Sequence, residues 1–217
     1  MKILNLYCGI GGNRKNWGDE HDITAVEIDP KIAKIYQDFF PNDKMVIADA
    51  HQYLLEHFKE FDFIWSSPPC PTHSVTNHFL HAQGNIRYPD MKLWQEIVFL
   101  QKWFKGKYCV ENVISYYPPL WPPQELDRHY FWCNFSITPR KFGETMFKTN
   151  RDFNICKARA STRKNQEEDV KELETYHGIK LPADCQKQGL LLRNCVYPPL
   201  GLHVFNEAFK NPQQPLL

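Results

Sequence analysis

No stretch of the 217-residue chain is apolar over the length a membrane crossing needs, and no basic-then-apolar leader opens it. Met1-Lys2-Ile3-Leu4-Asn5-Leu6 instead reads as a strand that starts a fold at once, so a cytoplasmic protein is the expectation. Cysteine pairing is also missing. The seven cysteines (8, 70, 109, 133, 156, 185 and 195) are odd in number, scattered and without a C-x-x-C pair. That argues against a disulfide framework and against a structural zinc site. There is no internal repeat and no low-complexity tract. Nor is there an excess of one charge: 26 basic and 25 acidic residues leave a net +1, so no overall positive field announces nucleic acid.

A chain of this length, with ordinary apolar content, can bury one full core with a small appendage. Charge is balanced overall but unevenly placed. Residues 140–165 hold Arg140, Lys141, Lys148, Arg151, Lys157, Arg159, Arg163 and Lys164 against only Glu144 and Asp152. Gln166 to Tyr176 then carries five acids against one lysine. The basic run reads either as a phosphate-contacting surface or as a solvated face.

The first half alternates short apolar runs with helical spacing. Strands are predicted over Lys2–Tyr7, Ile23–Ile28, Met45–Ala48, Phe61–Trp65 and Tyr108–Val110. Between them, Asp29-Pro30 opens a helix with Ile32, Ile35, Tyr36 and Phe39 on its apolar positions, and a second helix covers His51–Phe58. A third over Met91–Phe104 sets Leu93, Ile97, Leu100 and Phe104 on one face. The segment from Cys70 to about Pro89 shows no period and reads as a loop. This rhythm predicts an α/β fold with a doubly wound, mostly parallel, Rossmann-like sheet. Past residue 115 the rhythm breaks at Pro118, Pro119, Pro122 and Pro123. One more strand is predicted over Tyr130–Ile137, with Tyr130-Phe131-Trp132 as core. Asn165 with Glu168 resembles a capping box that opens a short helix stopping at Gly178. A last helix covers Leu200–Phe209 after Pro198-Pro199.

Chemistry-bearing residues collect at the carboxyl ends of the predicted strands, where open α/β sheets bind ligands. Gly9-Ile10-Gly11-Gly12 allows a tight turn and close approach of a ligand to backbone amides. Glu27, ending the second strand, suits ribose hydroxyls, and Asp49 follows the third. A cysteine is usually a small buried hydrophobe. Cys70, held between Pro69 and Pro71 just past the fourth strand, instead has the placement of a nucleophile. Glu111-Asn112-Val113 brings a carboxyl group to the same edge. A thiolate that adds to carbon 6 of an electron-poor pyrimidine, with an acid at ring nitrogen 3, makes carbon 5 nucleophilic enough to accept a methyl group. His73, His78 and His81 near Cys70 match no standard zinc spacing, and no metal is expected.

Four blocks in order resemble the cytosine carbon-5 DNA methyltransferases: Leu4-Asn5-Leu6-Tyr7-Cys8-Gly9-Ile10-Gly11-Gly12, Val26-Glu27-Ile28-Asp29, Ser67-Pro68-Pro69-Cys70-Pro71-Thr72-His73-Ser74 and Val110-Glu111-Asn112-Val113. A fifth, Leu192-Arg193-Asn194-Cys195-Val196-Tyr197-Pro198-Pro199-Leu200, resembles the family's closing motif. The compact form is most similar to small enzymes encoded by phages and prophages, as in restriction-modification. The resemblance implies the S-adenosylmethionine-dependent methyltransferase fold, S-adenosylmethionine as cofactor and DNA as partner. It implies Tyr7 packing on the cofactor adenine with Ile28 and Pro69 beside it, Gly9, Gly11 and Gly12 in the cofactor turn, Glu27 on the ribose and Asp49 near the adenine amine. Asn194 and Val196 would line the methionine end. Cys70 would be the nucleophile and Glu111 the acid, with the loop after Cys70 closing over a flipped cytosine.

Two departures stand out. The family's Q-x-R-x-R pattern is matched only by Gln124-Glu125-Leu126-Asp127-Arg128, which keeps Arg128 but has Leu126 at the first arginine. The recognition region is also short. The expected division is a catalytic domain over 1–138, a reduced recognition region over 139–188 and a segment over 189–217 returning to the catalytic domain. Three other readings stay open at this point: the same chemistry on RNA, transfer of a different group from a modified cofactor, and a non-catalytic cofactor- and DNA-binding subunit or decoy working with a partner chain.

Overall fold

The protein is described from a computed structural model, covering residues 1–142 and 163–210. Seven strands form one sheet in the order β3-β2-β1-β4-β5-β7-β6. β1 (Lys2–Leu6), β2 (Asp22–Glu27), β3 (Lys44–Ile47), β4 (Phe63–Ser66) and β5 (Lys107–Val113) run parallel. β6 (Gln124–Leu126) and β7 (His129–Cys133) close one edge antiparallel. The order reverses at β1, which pairs with both β2 and β4, so the strand ends on either side of β1 open a crevice.

Residues that are apolar on both faces make the central strands. Ile3, Leu4 and Leu6 of β1 and Phe63, Ile64 and Trp65 of β4 are all fully buried. Such runs suit a parallel sheet covered on both sides. On one face α7 (Pro198–Phe209) packs Leu200, Val204, Phe205 and Ala208 against Ile3, Trp17, Phe63 and Trp65. On the other, α2 (Ala50–His57) and α4 (Lys92–Trp103) bring Leu54, Leu93, Ile97 and Leu100 onto Leu4, Leu6 and Ile64. Phe131 and Trp132 are buried as expected. Among the described residues no helix is long and apolar enough to cross a membrane.

The differences from the expected elements have local causes. In α1 (Pro30–Phe39) the Asp29 side chain caps the helix at Lys31 N, but Ala33 and Tyr36 carry the burial while Phe39 is exposed. The segment expected as a loop after Cys70 contains α3 (Asn77–Ala82), a six-residue helix too short to show a period. β5 runs on through Glu111 and Asn112, because β7 pairs with them at Phe131 and Tyr130. β7 stops at Cys133 rather than Ile137, and the three-residue β6 had no signature of its own. α5 (Arg163–His177) starts two residues before Asn165, so the capping box lies inside it; Gly178 stops it at φ +60°. α6 (Gln188–Arg193) was not anticipated, and α7 takes in Pro198 and Pro199 at its first turn. Most of the basic run, and Cys156, lie outside the described residues.

Candidate active site

β1 ends in a turn that takes the backbone through the left-handed region. Tyr7 and Gly9 both have positive φ, +53° each, and the amide of Gly9 donates to Glu27 Oε2 at 3.1 Å. Glu27 Oε1 accepts from the amides of Ile28 and Asp29 at 2.9 and 3.0 Å. Three backbone donors therefore fix this carboxylate at the mouth of the crevice. A Cβ on Gly12 would stand 2.1 Å from Cys195 Sγ and 2.4 Å from the carbonyl oxygen of Val196. Glycine at 12 is what lets the 194–196 segment lie against the turn, with Val196 buried and Asn194 exposed at the end of α6.

Next along the edge, Asp49 caps α2 by accepting from Gln52 N at 3.0 Å, with Lys92 Nζ at 3.6 Å. Those contacts, the Gln52 amide foremost, hold its carboxyl below the usual range. Tyr7, Ile28, Asp49, Pro68, Pro69 and Leu93 line one cavity, with Lys92 at its rim. The Tyr7 hydroxyl donates to Glu96 Oε1 at 2.6 Å, and burial holds that phenol well above its ordinary pKa. Glu96, fully buried on α4, also takes Ser66 Oγ at 2.6 Å and faces His51 Nδ1 at 2.9 Å. The sequence reading passed over Glu96. Its signal was there: an acid one position from Ile97 on the buried face of an amphipathic helix needs partners. A larger cavity, of about 760 Å³, lies between α5 and α6, but none of the residues just named lines it, so chemistry and not size places the site.

The second half of the site follows β4 and β5. Ser66 pairs with Val110, which sets the loop after β4 beside Glu111. Asn112 Nδ2 donates to the carbonyl of Pro68 at 2.9 Å, tying the proline loop to β5. Beyond it the amides of His73 and Ser74 donate to the carbonyl of Cys70 at 2.9 and 3.1 Å. Cys70 is half-buried, and its thiol is pushed up by burial and then by the charge of Glu111. Glu111 is buried, and loss of hydration lifts its carboxyl from 4.5 to about 7 against a hydrogen bond from Ser67. Ser67 Oγ in turn accepts from Trp65 Nε1 at 2.8 Å.

Arg128 lies exposed in the two-residue turn between β6 and β7, where its charge acts on His129, His177 and Tyr176. His129 Nε2 is 3.6 Å from Glu111 Oε1, a neighbour that the sequence motifs do not single out. His73 is buried against Tyr117, Nδ1 to hydroxyl 2.6 Å. Among the described residues no three His, Cys, Asp or Glu side chains are grouped to hold a metal ion, and Cys8, Cys70, Cys109, Cys133, Cys185 and Cys195 are free thiols.

The model of the C-5 cytosine-specific DNA methylases matches residues 1–115, more than half of the chain, and includes the glycine turn, Cys70 and Glu111. The chain belongs to the C-5 cytosine-specific DNA methylase family. Across nearly the whole methylase fold it is similar to a crystal structure of a Spodoptera frugiperda DNMT2 mutant, with a TM-score of 0.59 at 15% identity, covering 96% of this chain and 99% of that one. At that identity the likeness shows the fold alone. Thermus thermophilus TrmN overlaps less, with a TM-score of 0.36 at 17% identity over 52% of this chain and 33% of that one. No curated protein matches. The methylase family uses S-adenosylmethionine, and this crevice fits it. The glycine turn leaves open space where a side chain on Gly9 would stand, and fixed carboxylates and an aromatic ring border it.

Proposed function

We propose that this methylase moves a methyl group from S-adenosylmethionine to carbon 5 of a cytosine in DNA, through a covalent adduct on Cys70. The observation that carries the proposal is the placement of Cys70, on the loop after β4, beside the buried Glu111 of the adjacent strand β5, where burial pushes the carboxyl up to about 7. A carboxyl that keeps its proton near neutral pH can act as an acid toward a ring nitrogen.

The bound cofactor would supply an electrophilic methyl group on a sulfonium sulfur, which keeps the bonding pair as a neutral thioether when the methyl leaves. Tyr7, Ile28 and Pro69 would enclose its adenine and Asp49 accept from the adenine amine. Glu27 would take a ribose hydroxyl with the one lone-pair site left on Oε2 after its three backbone bonds. Asn194 and Val196 would border the methionine end, beside Gly9, Gly11 and Gly12. The cytosine must leave the duplex to reach Cys70. Once Cys70 has lost its proton to water, the thiolate pair forms the S–C6 bond. The ring π electrons shift toward nitrogen 3, which takes the proton of Glu111. Carbon 5, now an enamine carbon, bonds the methyl group. Loss of the carbon 5 proton to water then expels the thiolate from carbon 6, and nitrogen 3 returns its proton to Glu111. Arg128 would help hold the base or the backbone near this pair. The short segment over 139–188 would supply recognition, with 189–217 completing the catalytic unit.

The test is transfer of labelled methyl from S-adenosylmethionine to mixed DNA and, in parallel, to RNA, with wild type beside Cys70→Ser. Label in 5-methylcytosine of DNA, reduced by roughly 10³-fold or more in the variant, is expected. Label confined to RNA, or a variant that keeps a tenth of the rate, would overturn the DNA assignment or the nucleophile respectively.

A further inference from the structure

Among the side-chain neighbours of Glu111 that the mechanism above does not use is a histidine. His129 opens β7 two residues before Phe131, the register partner of Glu111 on β5. Alternate residues of a strand share a face, so the imidazole and the carboxyl meet diagonally across the ladder. His129 Nε2 stands 3.6 Å from Glu111 Oε1, with both side chains largely buried. The other ring nitrogen, Nδ1, is buried without a hydrogen-bond partner. Leu126, the register partner of His129 on β6, lies among apolar side chains and has no group to hydrogen-bond the acid.

Resting on the proposed reaction, we propose that His129 is the positioning residue of Glu111, an imidazole whose Nε2–H closes on Oε1 when that carboxyl gives its proton to the substrate ring. A gap of 3.6 Å is longer than a hydrogen bond, as catalytic contacts often are before substrate arrives. Burial, with the nearby charge of Arg128, depresses His129 to about 4, so near neutral pH it is an uncharged donor. An uncharged donor stabilises the carboxylate during turnover without stripping the resting acid of its proton. A cation at the same distance would pull the carboxyl down and leave no acid to donate. The other groups facing the pair are Cys70 on the loop after β4, Ser67 below it, Cys109 on the same strand as Glu111 and Arg128 in the β6–β7 turn.

The experiment is the pH dependence of single-turnover methyl transfer for wild type, His129→Gln, His129→Phe and His129→Arg, with substrate and cofactor affinities measured alongside. Glu111 must be protonated while Cys70 is a thiolate, so the rate should show two apparent pKa values, the lower one belonging to the acid. Removing the donor in His129→Phe should raise that lower value by about one unit and cut the plateau rate about tenfold, with affinities nearly unchanged. His129→Gln, which keeps an amide donor, should restore most of both. His129→Arg should move the lower value down. Identical profiles in all four proteins, or equal rate losses in Phe and Gln with no shift, would overturn the assignment. If wild type transfers no methyl to cytosine, or Cys70→Ser transfers as well as wild type, it is the underlying reaction that has failed and not the role of His129.

Discussion

The two halves of the crevice treat their acids in opposite ways. On the β1–β3 side, Glu27 accepts three backbone amides, and Asp49 caps a helix next to Lys92. Both carboxylates are anchored by hydrogen bonds, and their positions are set before any ligand arrives. On the β4–β5 side Glu111 is buried with one hydroxyl donor and a histidine just out of hydrogen-bond reach. His129 Nδ1 and His73 Nε2 are buried there without partners. The first half has its polar groups satisfied, as the proposed binding role requires. The second keeps groups under-satisfied, which is what the proposed proton transfer would need and a cost that structures tolerate at functional sites.

The comparison breaks most visibly at Glu111. Replacing it with glutamine should slow transfer by roughly 10²–10⁴-fold while leaving cofactor affinity unchanged, because the acid serves only the second half. Isothermal titration beside single-turnover rates separates the two effects. A loss that appears mainly as weaker cofactor binding would mean that the halves are not distinct.

Stability should expose the same asymmetry. The folded-state pKa of Glu111 is raised from 4.5 to about 7, so the folded form holds its proton more tightly than the unfolded chain. The resulting stabilisation is complete below about 4.5 and is lost as pH rises through about 7. The difference corresponds to about 3 kcal/mol. Glu111→Gln should therefore remove part of the wild-type decline in unfolding free energy between pH 5 and pH 8, which denaturant titrations at the two pH values would read. Parallel declines in both proteins would mean that Glu111 is hydrated and not a strained acid.

The smallest effect is expected in the binding half. Gly12→Ala forces a methyl group against Cys195 Sγ and the Val196 carbonyl, and overpacking of this kind costs about 1–3 kcal/mol. Thermal unfolding should show the drop, with weaker cofactor binding and little change in the pH profile of transfer. An unchanged melting temperature would contradict the tight approach of the 195–196 segment to the glycine turn.

Much of the binding half was legible in the sequence, because its parts are local. A glycine turn after an apolar run, an acid ending the next strand and an Asp–Pro helix start each occupy a few consecutive residues. Cys70 and Glu111 were legible for the same reason, each lying just past or inside a buried strand. What escaped was non-local. His129 meets Glu111 only because β7 turns back antiparallel, a pairing no spacing reveals. Glu96 collects Tyr7, His51 and Ser66 from three different elements. The short elements α3, α6 and β6 are held by their surroundings and not by their own periodicity.

The central claim, that Cys70 forms and releases a bond to the cytosine ring, is tested most directly by trapping. With fluorine at carbon 5 of the target cytosine there is no proton to remove after methyl transfer, so the thiolate cannot be expelled. Wild-type protein incubated with S-adenosylmethionine and DNA carrying 5-fluorocytosine should give a denaturation-resistant protein–DNA complex, and Cys70→Ser should give none. A wild type that methylates ordinary DNA but leaves no such complex, or a complex that survives in Cys70→Ser, would contradict the account.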